Sequence, residues 1–273
     1  MSVKEGTAAA EQPYVLSEIS CGIATLWLNR GDQFNPLSLG MIAALRMNLD
    51  AITVNSEVRV VILAAKGRGF CAGHDLKEMR ARAGTQHGDE AWQKQLFDAC
   101  NRMMVAMTGM PQPVIARVQG IATAAGCQLV SMCDLAVAVD TAKFALPGVS
   151  IGVFCSTPAV GVARNIGRKR ALEMLLTGDM IDAETALDWG LVNRVVPLDL
   201  LDEEVAGLAG AIAARSATVV GMGKRTFYRQ IDCDLATAYD LAGEAMTCNL
   251  LLEDAVEGID AFLGKRPPKW VAS

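Results

Sequence analysis

Apolar positions along this chain follow two rhythms, one of period two and one of period 3.6, and they divide it into strands and helices. Over Tyr14 to Glu18 and Ile23 to Leu28, alternation and β-branched residues predict a half-buried hairpin. Asn29-Arg30-Gly31 then reads as a turn. From Ser38 to Ile52 the apolar residues Met41, Ile42, Leu45, Leu49 and Ile52 recur at helical spacing, with Ser38 placed to cap the first turn. Val60 to Ala65 is an unbroken apolar run, as expected of a strand covered on both faces. Similar runs return at Pro113 to Val118 and Leu135 to Val139, with helical sequence between them. Strands separated in this way need crossover connections, so the pattern predicts an α/β fold with a parallel sheet.

After Gly152 helical spacing dominates, over Lys169 to Leu176, Ala183 to Trp189, Leu200 to Ala214, Ala217 to Gln230 and Ala236 to Leu263. The expected organisation is a disordered arm over 1–12, a core over 13–205 and a helical oligomerisation region over 206–273. The polar, glycine-containing stretch Thr85 to Gly88 is expected to be a mobile loop beside the site. The longest apolar candidate for a bilayer span, Leu129 to Val139, is cut by Asp134 and falls short of the ~18 residues a span needs.

Composition narrows the partners. A net charge of −5 without a basic run argues against nucleic acid or an anionic membrane. Hydrophobic content of 52% against 20% charged suggests surface buried by other subunits. The eight cysteines include no Cys-x-x-Cys pair and sit mostly in apolar strings, so they read as buried reduced thiols and a cytoplasmic location is expected. With only His74 and His87 available, no metal site is expected.

Two turns rich in small residues follow strand runs and precede helices. One is Gly67-Arg-Gly-Phe-Cys-Ala-Gly73-His74-Asp75-Leu76, and the other is Gly120-Ile-Ala-Thr-Ala-Ala-Gly126-Cys-Gln128. At the carboxyl ends of adjacent parallel strands, their backbone N–H groups can converge on one oxygen, which is the recipe for an oxyanion site. The first long polar side chain after the second turn is Gln128, an amide that orients a carbonyl or water but takes no proton. Asp75 is placed to cap the following helix, and Asp134 to support the start of its strand.

In this order the motifs resemble the crotonase, or enoyl-CoA hydratase/isomerase, superfamily. They are Leu28-Asn29-Arg30, Phe34-Asn35-Pro36-Leu37, Phe70 to Leu76, Gln119-Gly120 through Cys127, and Leu176-Thr-Gly-Asp179. The likeness runs from about Pro13 to Arg266, and Gly152 to Pro158 with Lys224-Arg-Thr-Phe-Tyr228 mark one subgroup of the family. It implies a crotonase-like spiral ββα core, a helical C-terminal trimerisation region, and a homo-trimer or dimer of trimers. The implied ligand is an acyl-CoA thioester; coenzyme A enters as part of that substrate, with no separate cofactor. Its thioester oxygen is expected between the N–H groups of His74 and Ala125, with His74 acting through its backbone.

Asn35, Ala72, Asp75, Leu76, Gly148 and the cations Arg68 and Lys77 are further expected contacts, with Lys66 a third candidate for phosphate. Cys155, Ser156 and Thr157 fall where the family lines its acyl pocket. The two glutamates that activate water in typical hydratases correspond to Gln128 and Gly148 here. A positioned acid or base is worth roughly 10²–10⁴ in rate, so little hydration is expected. The function read from the chain is a nominal enoyl-CoA hydratase/isomerase that stabilises a thioester enolate, with Glu78, Asp75 and Asp89 as candidate proton carriers. The alternatives are a silent acyl-CoA binder or regulatory subunit, and an acyl-CoA hydrolase or decarboxylase.

Overall fold

The computed structural model describes residues 12–82 and 89–271. The arm over 1–12, Gln12 apart, and the Thr85 to Gly88 stretch lie outside them. The hairpin forms as the alternation predicts, from β1 (Val15–Ser20) and β2 (Ile23–Leu28), joined by Cys21-Gly22 with both φ positive. Helix α1 (Leu39–Thr53) is capped by Ser38 Oγ, which accepts from Met41 N, and buries the five apolar residues its spacing selects. Strand β3 (Val60–Ala65) pairs parallel with β2 and is buried at all six positions.

Helices α2 (Leu76–Arg82) and α3 (Glu90–Gly109) carry the chain to β4 (Val114–Val118), which lies parallel beside β3. A two-residue strand β5 (Ala122–Thr123) leads into α4 (Ala125–Met132) and β6 (Leu135–Val139). Then follow β7 (Lys143–Ala145), α5 (Ser156–Asn165), α6 (Arg168–Thr177), β8 (Ile181–Asp182), α7 (Ala183–Trp189) and β9 (Arg194–Val196). The chain closes with α8 (Leu201–Ala213), α9 (Ala217–Gln230), α10 (Leu235–Leu250) and α11 (Glu253–Leu263). The main sheet runs β1-β2-β3-β4-β6-β9, parallel from β2 onward, as the crossover argument requires.

Four expectations change. A second sheet, β5-β7-β8, escaped the pattern because strands of two or three residues have too few positions to show a period. The run Ala236 to Leu263 is two helices, because Leu252 turns extended and carries Asp254 inward, where its carboxylate accepts from Ser216 Oγ and Val271 N. The division at residue 205 falls inside α8, whose buried Leu201, Val205 and Ala209 pack that helix on the sheet. Five cysteines are buried, but Cys21, Cys233 and Cys248 are exposed.

Asp134 supports its strand and does more. Its Oδ2 accepts from Val114 N at 2.7 Å and from Lys224 Nζ at 2.6 Å, and its Oδ1 from Tyr228 OH at 2.9 Å. Lys224 Nζ also donates to Met107 O and Gln112 O, so its three protons are all used and α9 is pinned beneath the sheet by a fully bonded, largely buried cation.

Candidate active site

The two turns lie at the carboxyl ends of the neighbouring strands β3 and β4 and are laced together by their backbones. Phe70 N and Cys71 N donate to Ile121 O at 2.9 and 3.2 Å, and Thr123 N returns a bond to Cys71 O at 2.9 Å. The small residues serve this contact. A Cβ on Gly120 would strike Arg68 O, and one on Gly126 would strike Cys71 O, so glycine lets one turn rest on the other. Gln119 Nε2 ties the assembly to β3 by donating to the carbonyls of Ala65, Gly67 and Gly69.

Asn35 does the same from the other side, with corrected meaning. It is fully buried, its Nδ2 donates to Lys66 O, Gly69 O and Phe70 O, and its Oδ1 accepts from Arg30 N at 2.8 Å. Both amide protons are engaged, so Asn35 holds the turn and its Nδ2 has none left for a ligand. The positive φ of Phe34 and Asn35, 61° and 51°, marks how tightly the chain bends there.

Leu37 N donates to Gly73 O and Asp75 N to Leu37 O, leaving the intervening His74 N–H without a partner among the described residues. Ala125 opens α4 and its N–H likewise has no partner among the described residues. The two segments touch: a Cβ on Gly73 would lie 2.9 Å from Ala124 Cβ and 3.2 Å from Ala125 N. Ala124 itself holds φ +49°, ψ −120°, a conformation costly for any residue with a Cβ. Two N–H groups unbonded among the described residues therefore lie at the start of a helix and on the turn packed against it, positions from which backbone donors can stabilise an anion.

The candidate proton carriers each accept backbone hydrogen bonds. Asp75 Oδ1 accepts from Lys77 N and Glu78 N, Glu78 Oε2 accepts from Leu39 N at the start of α1, and Asp89 Oδ1 accepts from Trp92 N. Each accepts at the start of a helix through one carboxylate oxygen, the capping expected of Asp75 among them. Ala72, Leu76 and Lys77 are exposed, as is Arg68, whose guanidinium stacks 4.6 Å from the Phe34 ring centroid. Lys66 Nζ sits 3.8 Å from the Trp27 ring centroid.

Gln128 is buried and its Oε1 has no partner among the described residues. Gly148 is buried too, and the space beyond its Cα is filled: a Cβ would collide with Val153 O and lie 2.9 Å from Cys155 Sγ. The chain between Gly148 and Cys155 folds back on itself, with Val153 N donating to Gly148 O at 2.9 Å. No side chain enters position 148 unless that loop moves, a feature sequence alone gave no means of finding. Cys155 is buried and Ser156 exposed; desolvation pushes the Cys155 thiol pKa up. The His74 ring stands edge-on to Phe97 with centroids 5.2 Å apart, and burial pulls its pKa down to about 4, so the imidazole is neutral at physiological pH.

Comparison with known proteins fits this architecture. The family model for enoyl-CoA hydratase/isomerase matches residues 18–273. The rat mitochondrial enoyl-CoA hydratase domain-containing protein 3 is 46% identical over 249 residues, 91% of this chain and 81% of the relative. The solved human protein of that name is 45% identical with a TM-score of 0.90, covering 95% of this chain and 100% of the other. A solved enoyl-CoA hydratase from Mycobacterium smegmatis is 49% identical with a TM-score of 0.91, covering 95% and 99%. The chain belongs to the enoyl-CoA hydratase/isomerase family and has its mixed α/β crotonase fold. The expectation of a cytoplasmic location is overturned by the rat, mouse, human, frog and zebrafish relatives, all of them named mitochondrial. Buried thiols report packing, which is why they misdirected the address.

Proposed function

We propose that this protein binds an acyl-CoA thioester with its carbonyl oxygen between the N–H groups of His74 and Ala125, and polarises it without driving hydration. The observation that carries the reading is the pairing of two backbone donors, unbonded among the described residues, with Gln128 and Gly148 at the two positions where a hydratase's glutamates are expected. Gln128 orients the acyl group or a water but moves no proton. Exposed Arg68 and Lys77 are the cations for the phosphates of coenzyme A. No further cofactor enters.

That Gln128 and Gly148 stand where a hydratase's two glutamates are expected favours, as a second reading, a silent binder or regulatory subunit over a working hydratase. A decarboxylase or hydrolase remains compatible with an oxyanion site that lacks a base. Assembly as a trimer or dimer of trimers is supported by α10, which buries none of its residues and exposes Leu235, Tyr239 and Met246.

Calorimetric titration with butyryl-CoA and crotonyl-CoA, run beside a hydration assay, tests the reading. Saturable binding with hydration at least about 10²-fold below a glutamate-bearing family member is expected. No binding of either ester overturns it, and hydration at the level of that member returns the protein to the hydratases.

A further inference from the structure

Phe34, at φ 61° and ψ 33°, rests in the left-handed helical basin. Ala124 does not: its φ of 49° is paired with a ψ of −120°, although the basin open to a residue with a Cβ at that φ lies at a ψ of about +47°. Hydrogen bonds on both sides hold it there. Thr123 N and Oγ1 donate to Cys71 O and Ala72 O, Ala124 N donates to Ala145 O at 2.9 Å, and Ala124 O accepts from Gln128 N at 3.0 Å.

The strain has one local escape. Turning the peptide plane between Ala124 and Ala125 through about half a turn would bring Ala124 into the left-handed basin. The same turn would swing the Ala125 N–H out of the site and set the Ala124 carbonyl in its place, a repulsive group facing the ligand oxygen. Two costs oppose it. The bond from Gln128 N to Ala124 O is lost, and the rotation must be taken up by φ of Ala125, which is negative in the first residue of α4 and would become positive. Relief of the strain at Ala124 and loss of one buried hydrogen bond are of similar size, so they nearly cancel. The deciding cost is the collision of the Ala125 Cβ with its own backbone at positive φ, which glycine does not suffer.

Resting on the acyl-CoA reading above, we infer that the fully buried Ala125 methyl is a positioning group: it bars the peptide flip that strain at Ala124 invites, and so keeps the Ala125 N–H aimed at the thioester oxygen before any ligand arrives. No ligand binding is then spent on selecting the competent orientation. The two alanines have opposite effects, one straining the donor's peptide plane and the other locking it.

The test measures butyryl-CoA affinity for the full chain and for the Ala125→Gly, Ala124→Gly and double variants, with relaxation dispersion of the amide at position 125 in each ligand-free protein. Ala125→Gly should bind about three- to tenfold more weakly and show microsecond-to-millisecond exchange at that amide. Ala124→Gly should bind at least as tightly as the parent and show no exchange. Adding it to Ala125→Gly should recover most of the lost affinity, because glycine at 124 has no strain to escape. Simple loosening of the turn predicts the opposite, a further loss. Parent-like affinity in folded Ala125→Gly, or a double variant weaker than Ala125→Gly, overturns the inference. So does exchange between two orientations at position 125 in the ligand-free parent, a measurement that needs no variant to fold. If none of the four proteins binds butyryl-CoA the acyl-CoA reading falls, whereas exchange confined to Ala125→Gly would still uphold the lock.

Discussion

Two side-chain amides lie buried on either side of the paired turns, and they could hardly be used more differently. Asn35 makes four hydrogen bonds to backbone groups, whereas Gln128 makes none with its side chain. The first belongs to the fold and the second waits for something the fold does not supply. The same contrast divides the site as a whole. Its backbone half is braced by Asn35, Gln119 and close glycine contacts, while its side-chain half, at Gln128 and Gly148, holds no group that titrates. Stabilising charge and moving protons are separate tasks, and the proposed function assigns this chain the first.

Removing each amide should break the symmetry between them most sharply. Asn35→Ala strands the carbonyls of Lys66 and Phe70 and the N–H of Arg30, while Gly69 O keeps Gln119, and should destabilise by about 3–5 kcal/mol. Gln128→Leu removes an unpaired polar group and should be neutral or stabilising by about 1 kcal/mol, both read from chemical denaturation. Equal losses for the two would erase the distinction.

His74 sharpens it through pH. Its pKa is about 4 in the folded protein against 6.5 unfolded, so between those values the unfolded chain binds the proton that the native state refuses. Its contribution is complete above pH 6.5 and is lost as the pH falls toward 4, by about 3 kcal/mol. Denaturation curves of His74→Phe should show a shallower acid slope than the parent by that amount, and identical slopes would place the ring in water. The smallest effect concerns the strained link between the turns. Ala124→Gly relieves φ +49° and should raise stability by about 1 kcal/mol, visible as a higher melting temperature.

Much of this was legible in the chain. The Val60 to Ala65 run and the Met41 to Ile52 periodicity became β3 and α1 as read, because each is long enough to show its period. The placement of two small-residue turns after strand runs predicted that they would meet, as Gly73 does Ala124 and Ala125, while the choice of His74 and Ala125 within them came from the family resemblance. What was hidden depends on long-range contact. Glu78 caps a helix that begins 39 residues earlier in the chain, and Val153 O fills the space at Gly148. Neither has a local signature, and nothing in the sequence of Leu251-Leu252 announces the break between α10 and α11. Subgroup-marking Lys224 and Tyr228 found their explanation only when Asp134 was seen between them.

The central claim is that two backbone N–H groups grip a thioester carbonyl where no carboxylate acts. Isotope-edited infrared spectroscopy of butyryl-CoA labelled with ¹³C at the carbonyl reads that grip directly. Two preorganised donors should draw the bound carbonyl band below its position in water; a band at or above that position in the saturated complex would contradict the account.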